Sequence, residues 1–528
     1  MDLAIQNFRG IRKVNPVVDT QAAAQISAAV CKNVELRYTE KANNVGIFSA
    51  NGNKVITTCP HRVIGQWEST QNRVRYHFVY AADDEQGYIY CYNPLDDTFA
   101  VMKSGLAVTS AANGLTMAVG LYDWFVFTNG VDPYVAISMQ QSVESERIKD
   151  IDAKDAEGRT IRGLCLETYD GRLVTNCRNR VHWSKTSDIF TWNTSDPNVT
   201  TEPAYQELDR DVTALAYYNN SLIVFTDNYS VAFSGNPGDA ANFSKSGAAG
   251  GGCASFKSVL KVDNKLLYFD YKAKNVFAYY LIDSGQTRPT NGVADNVIEF
   301  FSGLDTGRLD EIETANLING DRSEIWFKLP YLNKNKILIF DLLKSEWVER
   351  EAQDDIRALC VVDGSLYSAS GQSLLQEYLT AKFADNFVGA EYCANIINVG
   401  SDSNLKISKL PLIITLDTGV ENDFFIEIKY DDNPDRVQKK RIIKTLKGYL
   451  VWAKNAEDPA GGAWATNQAD GSGAMWFDKE RNSVMFNLAG LRPFRQMQIR
   501  FYTDEAGQVF GIKRLEMKRV KTKTKTLG

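Results

Sequence analysis

Residues 325–347 read IWFKLPYLNKNKILIFDLLKSEW, and this stretch decides the fold. Ile325-Trp326-Phe327-Lys328-Leu329 is a short run of strand formers, Pro330 to Lys336 is a polar reversal, and Ile337-Leu338-Ile339-Phe340 returns as a second apolar strand. Asp341 opens another reversal, since its short side chain can bond its own backbone, and Trp347 re-enters a strand after Ser345-Glu346. The reading makes this hairpin the middle of one repeated unit, with Trp347 as a plug between units.

Outward from this hairpin the same unit recurs. Its lead strands start near Tyr76, Trp124, Arg172, Leu222, Leu266, Ile325 and Leu366, at offsets of 48, 48, 50, 44, 59 and 41 residues. Tight-turn pairs precede most of them: Tyr122-Asp123, Asp170-Gly171, Asn219-Asn220, Asp263-Asn264, Asn319-Gly320 and Asp363-Gly364. Asp, Asn and Gly tolerate the left-handed conformations of two-residue hairpin turns. Four short strands every 40 to 50 residues, roughly, is the arithmetic of a β-propeller. The expected class is all-β: a propeller of about six or seven blades over 46–385, with an N-terminal docking arm (1–45) and a β-sandwich-like C-terminal domain (386–528). A set of β-sandwiches is the competing arrangement, but it would not oblige a turn pair to recur at one offset.

In the arm, Thr20 to Val30 (TQAAAQISAAV) reads as a short helix capped by Asp19 or Thr20. So few large apolar residues cannot fold alone, so the arm must dock on its own body or on a neighbouring subunit. The insertion from Asp283 to Asp310 is expected in a surface loop, and charged Ser142 to Arg162 in a loop or short exposed helix. Beyond the repeat, Leu410–Leu416, Phe424–Tyr430, Val484–Leu488, Gln496–Tyr502 and Val509–Met517 are strands that must bury their apolar faces sheet on sheet. Asp458 to Gly473 reads as a long exposed loop.

Composition narrows the function. A formal charge of −6 over 528 residues supplies no basic footprint for sequence-independent nucleic-acid binding. No window reaches the roughly 18 apolar residues that span a bilayer, and Met1 to Pro16 lacks a signal-peptide core, so synthesis and folding in the cytoplasm are expected. Eight scattered cysteines without a C-x-x-C pair read as small buried hydrophobes.

Chemistry is hard to assemble from what remains. His61, His77 and His182 are far apart, each on or beside a strand. Asp83-Asp84-Glu85, Asp96-Asp97 and Asp209 with Asp211 fall in turns, where solvated turn residues are the simplest reading of paired carboxylates. Gly247 to Gly252 lacks the G-x-x-x-x-G-K-[ST] order of a phosphate loop and reads as a connection between blades. The basic run Lys513-Arg514, Lys518-Arg519 and Lys521 to Lys525 reads as a charged edge strand and frayed end. No catalytic residue, cofactor site or metal site is assigned, and the chain is expected not to be an enzyme.

Several stretches are similar to one family. Phe127-Thr128-Asn129-Gly130-Val131-Asp132-Pro133 matches an F-x-N-G-x-x-P run, and Gly171-Arg172-Leu173 leads on to Val181-His182-Trp183-Ser184 and Asp188-Ile189-Phe190. With Gly252-Cys253, Ser258-Val259, the Asp341…Trp347 spacing, Asn7-Phe8-Arg9-Gly10 and the closing strands Arg500 to Met517, the chain resembles the β-propeller tail proteins of short-tailed bacteriophages. These are the hub, nozzle and packaged-DNA stabilisation proteins below the portal and its adaptor ring.

The resemblance implies a structural virion protein of the tail, a homohexameric ring that continues the DNA channel and retains, then releases, the genome. Implied partners are further copies of itself, portal-adaptor or other tail proteins, tail fibre or spike proteins, and passing genomic DNA without sequence-specific binding. An acidic balance suits a lumen that must not grip phosphate. The alternative from another class is a carbohydrate-binding or carbohydrate-cleaving propeller.

Overall fold

The computed structural model describes residues 3–524 except 6, 13–16, 20–24, 40–43, 109–115, 193–202, 238–242, 247–248, 263–264, 271, 282–286, 290–291, 321, 352–354, 381–388, 399–403, 409–411, 418–419, 432, 445–449, 454–462, 466–472, 477–482, 487–495 and 518–519. The chain divides into two compact units. One comprises Asn53–Ser345 with Ala352–Leu379, and the other Met1–Gly52, Glu346–Glu351 and Thr380–Gly528.

The first unit is a β-propeller. Its first sheet is Arg62–Gln71, Val74–Ala82, Gly87–Asn93 and Thr98–Leu106, and the second is Met117–Leu121, Trp124–Thr128, Tyr134–Ile137 and Ile148–Ile151. The third sheet runs from Leu166–Tyr169 to Ala204–Glu207, the fourth from Val212–Tyr218 to Ser244–Lys245, and the fifth from Leu260–Val262 to Thr287–Pro289. A sixth group holds three antiparallel strands, Glu313–Asn319, Arg322–Leu329 and Lys336–Asp341. The seventh sheet joins Arg357–Val362, Ser365–Ser370 and Ser373–Thr380 to Gly52–Thr58, a strand from over three hundred residues earlier. Cys59 N–H donates to Gln372 O and Val63 N–H to Gly371 O, so this borrowed strand also ties the seventh sheet to the first.

The first strands of the sheets lie side by side around a ring. Arg62–Gln71 adjoins Met117–Leu121, and the contact passes in order to Leu166–Tyr169 and Val212–Tyr218. Leu260–Val262 adjoins Glu313–Asn319, which adjoins Arg357–Val362, which returns to Arg62–Gln71. The helical turn Phe256–Ser258 touches both Val212–Tyr218 and Glu313–Asn319. No sheet buries its apolar faces alone. The cores sit between successive sheets: Phe78, Tyr80, Phe125 and Phe127 between the first and second, and Val79, Tyr90, Ala369 and Leu374 between the seventh and first. Phe78 and Phe125 stack with ring centres 4.3 Å apart.

The second unit is woven from both ends of the chain. Gln496–Tyr502 pairs with Asn422–Tyr430 and with Glu391–Ala394, and Gly511–Met517 pairs with Leu412–Leu416. Along Asn422–Tyr430 burial alternates, so Phe424, Ile426, Ile428 and Tyr430 are fully covered while Phe425, Glu427 and Lys429 face outward. Leu3–Ile5 pairs with Gly511–Met517, in register Leu3↔Met517, and Asn7–Ile11 pairs with Gln25–Lys32. The inserted strand Glu346–Arg350 meets Gln25–Lys32 at Glu349↔Lys32.

Several expectations change. Thr20 to Val30 is not helical where described: Gln25–Lys32 is a strand paired with Glu391–Ala394 and Asn7–Ile11, because non-local pairing outweighs the helix propensity of its alanines. Trp347 is expected as a plug between blades. It stands on Glu346–Arg350 in the second unit, so the hairpin that sets the repeat belongs to one unit and its closing tryptophan to the other. The 283–310 insertion includes helical turns over Asp295–Val297, Ile298–Phe301 and Thr306–Glu311 that bury Val297, Phe301 and Leu309. Ser142 to Arg162 contains the fourth strand of the second sheet, Ile148–Ile151, beside the short turn Glu144–Glu146. Of the loop Asp458 to Gly473, Ala463–Ala465 forms a short strand and Gly473 opens another, and the rest lies outside the described residues.

Candidate functional site

Antiparallel pairing within each propeller sheet sends the first and third turns to one end. That end is a face built of tight turns. Asn72, Arg73, Tyr122, Asp170, Asn219, Asn220 and Asp363 all adopt positive φ there, with Gly171, Gly320 and Gly364. Side chains lace neighbouring turns together. Tyr122 OH donates to Gly171 O at 3.0 Å, Tyr169 OH to Asn220 O at 3.4 Å, and Asn319 Nδ2 to Gly364 O at 2.9 Å. Arg75 pairs with Asp363, whose N–H also donates to Glu68 at 2.8 Å. Glu167 accepts from Tyr217 N–H at 2.8 Å and meets Lys261 at 3.3 Å. A tyrosine at φ +53° is unusual, and Tyr122 is also 54% exposed.

The same face exposes large apolar side chains: Leu95 (95%), Val143 (50%), Ile318 (57%) and Leu343 (56%) stand on or next to its turns, as does Tyr122. The turn segments around Leu95, Tyr122 and Val143 carry the exposed acids Asp96, Asp97, Asp123, Glu144 and Glu146, Arg147 closes the last of them, and exposed Arg73, Arg75 and Lys261 stand on or beside other turns of the same face.

The centre of the ring is closed by charge and an indole. Lys257 Nζ lies 5.7 Å from the ring centre of Trp67 in the first sheet, while Glu313 of the sixth group is 3.6 Å from Lys257 and 2.8 Å from Lys328. The first sheet and the turn before the fifth are not neighbours in the ring, so the Lys257–Trp67 contact crosses its centre. Trp67 packs in turn on Phe125 and Phe127. Burial pulls the Lys257 ammonium down from its ordinary range. Burial pushes Glu313 up, but the two ammonium groups outweigh it and hold the carboxyl below its ordinary range.

The histidines are not brought together as a catalytic set. His61 stacks on Tyr88 at 4.1 Å with Nδ1 2.7 Å from Tyr90 OH. His77 is buried with Nε2 3.0 Å from Gln66 Oε1, and burial pulls it down to about 3; burial likewise pulls His182 down to about 4. Among the described residues, no group of three His, Cys, Asp or Glu side chains is placed to hold a metal ion. The carboxylates serve turns: Asp83 accepts from the N–H groups of Glu85 and Gln86, Asp96 from Thr98, Asp97 from Tyr92 OH and Asp209 from Tyr229 OH.

The cysteines are free thiols, most of them buried, and burial pushes Cys59 and Cys91 up to about 11, where a thiolate nucleophile is scarce. In the glycine-rich segment Ala249–Gly250 pairs with Tyr229–Ser234, and a Cβ on Gly252 would lie 2.2 Å from the Asp227 carbonyl carbon. Lys513 pairs with Asp417 at 2.9 Å, and Val520–Thr524 is a strand against Asn404–Ser408. Sequence reading missed the exposed apolar residues of the turn face and the central charges. Leu95 inside Asn93-Pro94-Leu95-Asp96-Asp97 was the one available signal, a large apolar residue where a turn needs none.

No helix among the described residues is long and apolar enough to cross a membrane. No protein-family model and no curated protein matches the chain in sequence. Among solved structures the chain is similar to BamB from Moraxella catarrhalis, at 10% identity and a TM-score of 0.35 over 65% of this chain and 92% of that one. It is also similar to the N-terminal domain of Nup159, at 12% identity and a TM-score of 0.36 over 66% of this chain and 98% of that one.

Proposed function

We propose that this chain is a structural protein of a short-tailed bacteriophage tail, a seven-bladed propeller with a β-sandwich-like second unit, assembling as a homohexameric ring that continues the DNA channel below the portal. It would help retain the genome and then release it, without catalysis. The sequence resemblance motivates this reading, and the observation that carries it furthest is the weave of the second unit. Leu3–Ile5 and Gly511–Met517 lie in adjacent strands, and Glu346–Arg350 is sewn into the same fabric from mid-chain. Sheets that tie segments far apart in sequence into one unit suit a part that must keep its shape under the pressure of packaged DNA.

The filled propeller centre adds a constraint. Trp67 and Lys257 leave no passage for a duplex through one propeller, so the channel would be the lumen enclosed by the ring of copies. Portal-adaptor and fibre or spike proteins are the neighbours this reading expects, in the virion tail.

Electron microscopy of the purified full-length protein tests it. Rings with a central lumen wide enough for duplex DNA are the expected result. A monomer at all concentrations that binds or cleaves glycan would replace this reading with a carbohydrate-active propeller.

A further inference from the structure

Five asparagines in the chain are followed by glycine: Asn51, Asn113, Asn129, Asn291 and Asn319. A glycine in that place, having no side chain, leaves its backbone nitrogen open to the amide carbon of the asparagine before it, so the local chemistry is alike at all five and the fold decides which reacts. Asn113 and Asn291 lie outside the described residues. At Asn129 both reacting groups are held. Its Oδ1 accepts from the N–H groups of Val131 at 3.1 Å and Asp132 at 2.9 Å, and its Nδ2 donates to Ala107 O at 3.0 Å and to Asp132 at 2.7 Å. Gly130 N–H donates to Thr128 Oγ1 at 3.0 Å. Gly52, after Asn51, is buried and opens the strand Gly52–Thr58, which fixes its nitrogen in extended backbone.

Asn319–Gly320 differs on each count. Both residues are exposed, and Asn319 closes the first hairpin of the sixth group against Arg322. Gly320 has φ +47°, a Cβ there would meet nothing within 4 Å, and among the described residues no group accepts from its N–H. Among the same residues the Asn319 amide makes one hydrogen bond, from Nδ2 to Gly364 O at 2.9 Å on the turn of the seventh sheet.

We infer that Asn319 is a site of spontaneous deamidation, and that its conversion unties the sixth and seventh sheets at this end of the propeller. The Gly320 nitrogen bonds to Asn319 Cγ as the Cγ–Nδ2 bond breaks, and Nδ2 leaves as ammonia with the proton that Gly320 gives up. Water then opens the cyclic imide at either carbonyl and leaves an aspartyl or isoaspartyl residue, with no change of oxidation state. Either product puts a carboxylate where the donor stood. Two acceptors then face each other at Gly364, beside Asp363 and its partner Arg75.

Ageing the full-length chain in mildly alkaline buffer, followed by peptide mapping with mass spectrometry, tests the site. The Asn319 peptide should convert at least about tenfold faster than the Asn129 peptide, because one hydrogen bond must open at the first and five at the second. In denaturant the two rates should converge, since the protection is tertiary. Hydrogen exchange of Asn319→Asp should match that of the aged chain, with amides of Ser365–Ser370 less protected and those of Leu166–Tyr169 unchanged. Asn319→Gln, whose longer side chain closes an imide far more slowly, should keep its exchange pattern through ageing. An intact Asn319, or equal conversion of the two peptides in the folded chain, would overturn the site. Conversion that leaves Ser365–Ser370 as protected as before would overturn its consequence. Ring assembly enters neither readout, so the outcome is independent of the function proposed above.

Discussion

A Cβ placed on Gly10 would lie 2.3 Å from the carbonyl oxygen of Trp347 and 2.9 Å from its backbone nitrogen, although 336 residues separate the two in sequence. Backbone against backbone leaves no flexible side chain to yield. On the flanks Glu346 accepts from Arg9 at 2.8 Å and Arg12 at 3.1 Å, and from Gly10 N–H at 3.1 Å. The N-terminal segment is thereby held on a strand from mid-chain.

Gly10→Ala should therefore destabilise the second unit by about 2 kcal/mol or more, the cost of forcing a packed backbone apart. Hydrogen exchange is the suitable readout. Amides of Gln25–Lys32 should lose protection while those of Arg62–Gln71 keep theirs, and equal loss in both would show that the contact does not act locally.

Trp347→Ala should cost about 3–5 kcal/mol, because the indole is 2% exposed and truncation leaves a cavity. Placement on Glu346–Arg350 locates the loss in the second unit. Limited proteolysis should cut that unit first, and preferential cleavage between propeller sheets would contradict it.

Glu313→Gln leaves Lys257 and Lys328 buried beside each other without their shared anion. Breaking a buried ion cluster at one member costs about 3–5 kcal/mol, whereas Glu313→Gln with Lys257→Met removes a charge of each sign and should recover much of it. Urea melts of both variants decide the matter, and a single variant as stable as the parent would show the cluster to be solvated.

Acid should loosen the propeller before its carboxylates protonate. His77 is pulled from its ordinary 6.5 to about 3, and His182 to about 4. Below pH 6.5 the unfolded chain takes up protons that the folded one refuses, so their contribution is complete above 6.5 and declines as pH falls towards the lowered values. From pH 6.5 to 5 the decline approaches about 2 kcal/mol per histidine. Denaturant melts across this range should show the slope, and His77→Asn should remove about half of it; an unchanged slope would mean that His77 protonates in place.

Much of the propeller was legible in the chain. A hairpin turn is a local event: Asp170-Gly171 and Asp363-Gly364 must take left-handed angles wherever they occur, and alternating apolar residues on either side must pair across them. Their spacing therefore reported the repeat directly. The exposed apolar residues of the turn face were less visible, because Leu95, Tyr122 and Val143 are 27 and 21 residues apart and nothing local marks them as lying on one end of the propeller.

By itself the sequence determined strands, turns and their period, since these depend on each residue's own backbone preference and on contacts a few residues away. Only the tertiary structure decided where the long connections lead. It lent Gly52–Thr58 to the last propeller sheet, turned the alanine-rich segment into a strand, and gave Trp347 to the other unit. Each choice sets local propensity, worth about 1 kcal/mol or less per residue, against non-local pairing and burial worth several, and in each of them pairing and burial prevailed.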